Sequence, residues 1–185
     1  MVDKSRDKIA YNKIYLGSSW FNDEQQAQVE KARVALSENP TVALVHVPWD
    51  KQYKDASVKS DPDNVLGTLE WVKGTADSDW HACATSDAGI FLYELDAIDD
   101  GQAAEFGYMY RRNVPTVVIL MHHKPLYDAN GAANYVLNLM LTSATAIYDG
   151  NTGVDKNGKD GYEQILSTYD FNHPTLKEDY PLPII

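Results

Sequence analysis

DAGIFLYELDAIDDGQAAEFG, Asp87 to Gly107, decides how the rest of the chain is read. Ala88 to Tyr93 is a short run of apolar and β-favouring residues, the pattern of a buried strand. Glu94 to Gly101 breaks it with acidic residues and a glycine. Gln102 to Arg112 then has helical composition, with Asp99 or Asp100 placed as its N-cap. Asp99 therefore falls in the loop at the carboxyl end of the strand, and Glu105 lies early in the next helix. In open α/β sheets that rim is where ligands bind. Two carboxylates in one crevice can divide labour, one staying ionised as a nucleophile while another, nearer neutral, donates a proton. Amides at the helix start are expected to keep Glu105 ionised. By themselves the same residues fit equally a plain helix cap with a solvated glutamate.

Outward from this unit, strand and helix patterns alternate. Lys13 to Leu16 reads as a first strand ending at Gly17-Ser18-Ser19. Asn22 with Gln25 three residues on resembles a capping box, and opens a helix to about Glu38 with Val29, Ala32 and Leu36 on one face. Thr41 to Val47 reads as a second buried strand after Asn39-Pro40. Pro48 to Asn64 is a long polar loop, and loops beyond ~12 residues in compact domains are more often functional or mobile than idle. Leu66, Leu69, Val72, Ala76, Trp80 and Cys83 recur at helical spacing, which makes an amphipathic helix ending near Ser86, with Asp79 close to its carboxyl end.

After the central unit, Val114 to Leu120 is a fourth strand, Tyr135 to Leu141 a short helix and Ala144 to Tyr148 a fifth strand. Asp149 to Gly161 is turn-rich and Tyr162 to Thr168 a last helix. Residues 1–12 are polar and expected to be loose; residues 170–185 carry three prolines and should be extended. Such alternation implies one α/β domain over residues 1–185, a five-stranded parallel sheet with helices on both faces and flavodoxin-like strand order. Its crevice, where the first and third strands end, would gather Tyr15, Gly17, Ser18, Asp99 and Glu105. Asp79 joins them if its helix ends at the same rim.

Composition narrows the partners. The 185 residues suit one domain with a real core, and 44% hydrophobic with 23% charged residues is ordinary for a soluble protein. A formal net charge of -11 argues against a nucleic-acid backbone or an anionic membrane as partner and suits a neutral or cationic small ligand. The lone Cys83 excludes an internal disulfide framework, and the start at Met1 to Asp7 lacks a signal-peptide pattern, so the expected compartment is the cytoplasm. Gly17-Ser18-Ser19 carries neither nucleotide fingerprint. His46, His81, His122, His123 and His173 have no metal-ligand spacing and read as structural or surface residues, so no metal is expected. Trp20, Phe21 and Trp71 read as core residues, with one aromatic at the rim available to stack on a flat ligand.

Several stretches together resemble nucleoside 2-deoxyribosyltransferases. They are Ile14 to Phe21 (IYLGSSWF), Asp50 to Lys54 (DKQYK), Leu92 to Met109 (LYELDAIDDGQAAEFGYM), Asn138-Leu139-Met140 and Tyr169-Asp170-Phe171-Asn172. They run in family order over nearly the whole chain. The resemblance implies a flavodoxin-like fold assembled as a hexamer, with a salvage role in exchanging the base of a 2'-deoxyribonucleoside for a free nucleobase without a cofactor. By that resemblance Glu105 is the nucleophile at C1', and Tyr15 hydrogen-bonds it and positions it. Asp79 and Asp99 contact the base, one of them donating a proton. Gln52 lies at the base site, with Gly17 and Phe21 at the rim. Asn138, with Met140 nearby, comes from a neighbouring subunit to bind the sugar 5'-hydroxyl. The Asp99-Asp100-Gly101 loop and the Ile147-to-Asn151 segment look closer to the purine-preferring branch. The alternatives are a hydrolase acting on a 2'-deoxynucleoside or its 5'-monophosphate, and a non-catalytic flavodoxin-like binding module.

Overall fold

Five strands form one sheet in the order β2-β1-β3-β4-β5, every neighbouring pair parallel. The computed structural model describes residues 12–57, 59–156, 158–177 and 179–185. The strands are β1 (Asn12–Ser18), β2 (Val42–His46), β3 (Ala88–Glu94), β4 (Thr116–Met121) and β5 (Ala146–Asp149). The helices are α1 (Asp23–Ser37), α2 (Leu69–Thr85), α3 (Asp100–Arg111) and α4 (Gly161–Thr168). This is the flavodoxin-like order expected from the alternation of elements. The expected loose start lies outside the described residues over 1–11, whereas Asn12 already belongs to β1.

Strand alternation sorts the core into two layers. Ile14, Leu16, Ile90, Leu92, Val117 and Ile119 pack on one face against Val29, Ala32 and Leu36 of α1 and Leu166 of α4. Tyr15, Phe91, Val118 and Leu120 face the other way, onto Cys83 of α2 and Phe106 and Met109 of α3. Asn22 caps α1 by accepting from the Gln25 N–H at 2.9 Å. The Gln25 side chain reaches back to the Phe21 N–H at 2.7 Å rather than to Asn22, and donates to Glu94 at 3.0 Å, tying α1 to the end of β3.

Three expectations need correction. The second strand is not buried: among the described residues β2 pairs with β1 alone, at the edge of the sheet, and Leu44 is 57% exposed. An apolar run does not reveal which strand closes a sheet. The apolar stripe chosen for α2 faces outward, with Leu69 68% and Val72 49% exposed; of its members only Cys83 is buried. The helix rolls its Trp71-Thr75-Asp79 stripe inward instead, as the crevice below requires. Residues 135–141 are not a helix. Their amides serve the tail: Leu137 and Leu139 donate to the Pro183 and Ile185 carbonyls at 2.8 and 2.9 Å, leaving only a 3-10 turn at Leu139–Ser143. The last helix starts at Gly161, where Glu163 accepts from the Asp160 N–H at 2.8 Å. Past Thr168 no helix or strand forms among the described residues, yet Phe171 and Leu182 are buried, so the extended tail is packed down.

Candidate active site

At the carboxyl ends of β1 and β3 a crevice of about 130 Å³ opens between α2, α3 and the Pro48–Lys51 3-10 turn. Ser18, Trp20, Gln52, Asp79, Asp99 and Glu105 line it. Each arrives by a local cause. Ser18 closes β1, and Gln52 is held as it leaves the turn, donating to the Pro48 carbonyl at 3.2 Å. Asp79 lies eight residues after Trp71 and four after Thr75, a spacing that puts all three on one side of α2. Asp99 is the N-cap of α3 and Glu105 lies a turn and a half further along.

Tyr15 lies beneath, fully buried, and forms part of a row of rings across the sheet. His46 stacks on it at 5.7 Å with 14° between planes, Phe91 flanks it at 6.2 Å, and Phe106, next to Glu105 in the chain, meets Phe91 edge-on at 5.8 Å. Gly17 makes room for this row. A Cβ there would come within 2.7 Å of the Phe91 ring and 3.4 Å of Glu105 Oε2.

The carboxylates differ in their surroundings. Asp99 is engaged: Oδ1 accepts from the Gly101 and Gln102 amides at 2.8 and 3.4 Å, and Oδ2 from the Ser19 hydroxyl at 3.2 Å. Gln102, buried, supports this corner by accepting from the Ser19 N–H at 2.7 Å and donating to the Leu92 carbonyl at 3.1 Å. Asp79 has a buried oxygen, Oδ1, without a partner, and burial lifts its carboxyl to about 6. Glu105 is pushed up to about 7, chiefly by burial; the nearby Tyr15 hydroxyl works against this, and the charges of Asp79 and Asp99 add to it. The helix-start amides thus serve Asp99, and the expectation that they would keep Glu105 ionised is not met.

The Tyr15 hydroxyl is buried too deeply to ionise and is pushed far above the ordinary phenol range, first by desolvation and then by Glu105. It makes no hydrogen bond of ordinary geometry. Phenol and carboxyl are neighbours that stop short of a tight bond, as catalytic pairs often do before substrate arrives.

The structure therefore brings together Asp79, Asp99, Glu105 and Gln52 around the crevice, with Tyr15 and Gly17 below. Phe21 stands outside, 71% exposed, its ring against Trp20 at 5.5 Å. Asn138 faces a separate hollow with Tyr93, Leu137 and Leu141, and Met140 is 63% exposed; neither joins the crevice of its own chain. Sequence reasoning missed Gln102 and Thr75 and placed Trp71 in the core. Their spacing carried the signal, Gln102 one turn before Glu105 and the α2 trio at four-residue steps. Trp71 Nε1, buried and unpaired, and Thr75 both line the crevice. Among the described residues no group of three or more His, Cys, Asp or Glu is placed to hold a metal ion. No described helix is long and apolar enough to cross a membrane.

Residues 14–157 match the family model of nucleoside 2-deoxyribosyltransferases. A nucleoside deoxyribosyltransferase of Limosilactobacillus fermentum is 38% identical over 181 residues, 98% of this chain and 99% of that protein. The solved 2-deoxyribosyltransferase of the psychrotolerant bacterium Bacillus psychrosaccharolyticus superposes with a TM-score of 0.67, at 24% identity, over 91% of this chain and 99% of its own.

Proposed function

This chain belongs to the nucleoside 2-deoxyribosyltransferase family and is a transferase, and from that premise we propose that Glu105 is its nucleophile and Asp79 its proton donor. A Glu105 oxygen attacks C1' of a 2'-deoxyribonucleoside as the glycosidic bond breaks. The bonding electrons leave with the base, whose nitrogen takes the Asp79 proton. A second base then attacks C1' from the face the first one left. The ester breaks, Glu105 returns as a carboxylate, and the proton of the incoming base passes to Asp79. Two inversions leave the sugar with retained configuration.

The observation that carries this reading is the placement of two buried carboxyls in one crevice, Asp79 on α2 and Glu105 on α3, with burial pushing both above the usual carboxylate range. Contacts with the bound base then decide which of the two holds the proton. Asp99, held by the α3 amides and Ser19, is better suited to orienting the base than to giving up a proton. Gln52 contacts the base, and Tyr15 steadies Glu105 as the substrate closes the gap between them. The exchange needs no cofactor.

A neighbouring subunit completes the site in this proposal. The crevice, at about 130 Å³, is smaller than the ~300 Å³ at which ordinary ligand pockets begin. Asn138 and Met140, both exposed, serve an adjacent chain and bind the sugar 5'-hydroxyl, with Asn138 Oδ1 held by the Met140 N–H at 2.9 Å. The outward stripe of Leu69, Val72 and Trp80 supplies apolar surface for such packing. We place the assembly as a hexamer, working in cytoplasmic deoxynucleoside salvage with a preference for purines. The preference rests on the likeness of the Asp99-Asp100-Gly101 loop.

Incubating the protein with deoxyadenosine and a different free base, followed by chromatography, tests the reaction. Exchange should appear only with the acceptor base present, and a slow-reacting substrate analogue should add the mass of one deoxyribosyl group at Glu105. Sugar release unaffected by added base would point to hydrolysis instead.

A further inference from the structure

We propose that His46 is a positioning residue, the outer clamp of the aromatic row that aims the Tyr15 hydroxyl at Glu105. The inference rests on the assignment of Glu105 as nucleophile and extends it to a side chain outside the crevice lining.

Register creates the contact. In the parallel pair of β1 and β2, Tyr15 and His46 lie opposite each other, so their side chains share a face and meet. The result is a nearly parallel stack, 5.7 Å between centroids and 14° between planes. On the other side Phe91 tilts against Tyr15 at 6.2 Å, with Phe106 behind it. Tyr15 is thus held between an imidazole on the edge strand and a phenyl on the central one.

This matters because the polar groups near the hydroxyl, the Glu105 carboxyl and the Cys83 thiol, hold it only loosely. A buried phenol ordinarily finds a hydrogen-bond partner that fixes its direction, and the Tyr15 oxygen has none of ordinary geometry. The ring contacts therefore carry much of its direction. Phe91 is a deep core residue, 1% exposed, and Gly17 is shaped around it, whereas His46 sits half-buried on the edge strand. Stability alone does not account for the imidazole. Its Nε2 is buried without a partner, a cost that a hydrocarbon ring would not carry.

Burial, with Lys13 on β1 and Lys51 in the 3-10 turn, also pushes His46 down to about 4, so the ring is neutral wherever Glu105 is ionised. Asp50 opposes this shift and His81 on α2 adds to it. A neutral flat ring can clamp Tyr15 without placing a charge beside the carboxylate.

The consequence is readable on Glu105 itself. The Tyr15 hydroxyl holds the Glu105 carboxyl below where burial would leave it. Loosening Tyr15 must therefore raise the Glu105 midpoint. The test compares His46→Leu, which fills the space without a flat ring, with His46→Phe, which restores the stack. Glutamate carboxyl carbons are titrated by ¹³C NMR, with Glu105→Gln assigning the resonance. H46L should raise the Glu105 midpoint and lower kcat about tenfold with KM within about twofold, as small misplacements at a reacting centre do. H46F should match the unsubstituted protein in both and melt no lower. Lys13, Lys51, Asp50 and His81 are the same in both variants, so the difference between them reports the ring.

An unmoved midpoint in H46L overturns the proposal. So does an H46F variant as impaired as H46L, which would assign the role to the nitrogen. Retained exchange in Glu105→Ala would overturn the nucleophile assignment separately, while the midpoint measurement still judged the clamp.

Discussion

The two faces of the sheet are built from the same strands and could hardly differ more. Toward α1 and α4, Ile14, Leu16, Ile90, Leu92, Val117 and Ile119 make an aliphatic layer whose purpose is packing. Toward α2 and α3, the alternate residues are Tyr15, Phe91, Val118 and Leu120, and the helices answer with Cys83, Phe106 and, at the rim, Asp79 and Glu105. Unpaired buried polar atoms occur on both sides, among them the Tyr162 and Tyr169 hydroxyls toward α1 and α4, but on this side Asp79 Oδ1 and Trp71 Nε1 belong to residues that line a crevice, with the Tyr15 hydroxyl beneath. One face supplies the stability that the other spends in holding carboxyls where water would otherwise ionise them.

The largest expected effect breaks the comparison outright. Glu105→Ala should reduce base exchange on the order of 10³-fold or more while circular dichroism and assembly stay unchanged. A variant that fails to fold would assign the α2–α3 face a structural role instead.

Leu16→Ala should do the reverse, costing about 2–5 kcal/mol in denaturant unfolding. Its kcat, measured well below the melting temperature, should be nearly intact. A large loss of kcat at full folding would deny the division of labour.

The third test sharpens the comparison through pH. The folded Glu105 carboxyl, at about 7, lies above the usual value of 4.5. Folding then takes up a proton between those limits. The stability this represents is fully present below about 4.5 and is lost as pH rises through about 7, and it amounts to about 3 kcal/mol. Glu105→Gln should flatten that part of the stability profile between pH 5 and 8, and equal slopes in both proteins would show that the carboxyl is not held as described. Asp79, shifted the same way to about 6, contributes a smaller loss over a lower window.

The smallest effect belongs to Phe21. It is 71% exposed, its ring against Trp20, so Phe21→Ala should change kcat/KM by no more than a few-fold and leave the melting temperature unchanged. A loss of a hundredfold would place Phe21 directly on the substrate.

Much of the site was legible because it is local. Asp99 and Glu105 are six residues apart in one strand-loop-helix unit, so an apolar run, a cap and a helical pattern fixed both at the rim. Asp79 was legible only as a residue near a helix end. Its inward direction was hidden, since Leu69, Val72 and Trp80 offered a stronger apolar stripe that in this chain faces outward. The Tyr135 to Leu141 helix failed for a related reason. Its amides pair with carbonyls more than forty residues away, at Pro183 and Ile185, and no local pattern announces such a partner.

By itself the sequence determined the parallel α/β architecture, the identity of the acidic residues and their family, because strand and helix periodicities and short motifs are properties of neighbouring residues. Only the tertiary structure decided which carboxyl is shielded and which is satisfied, which stripe of α2 turns inward, and that His46 lies against Tyr15. Those outcomes depend on burial and on register between strands distant in the chain, and both are set by how the whole sheet closes.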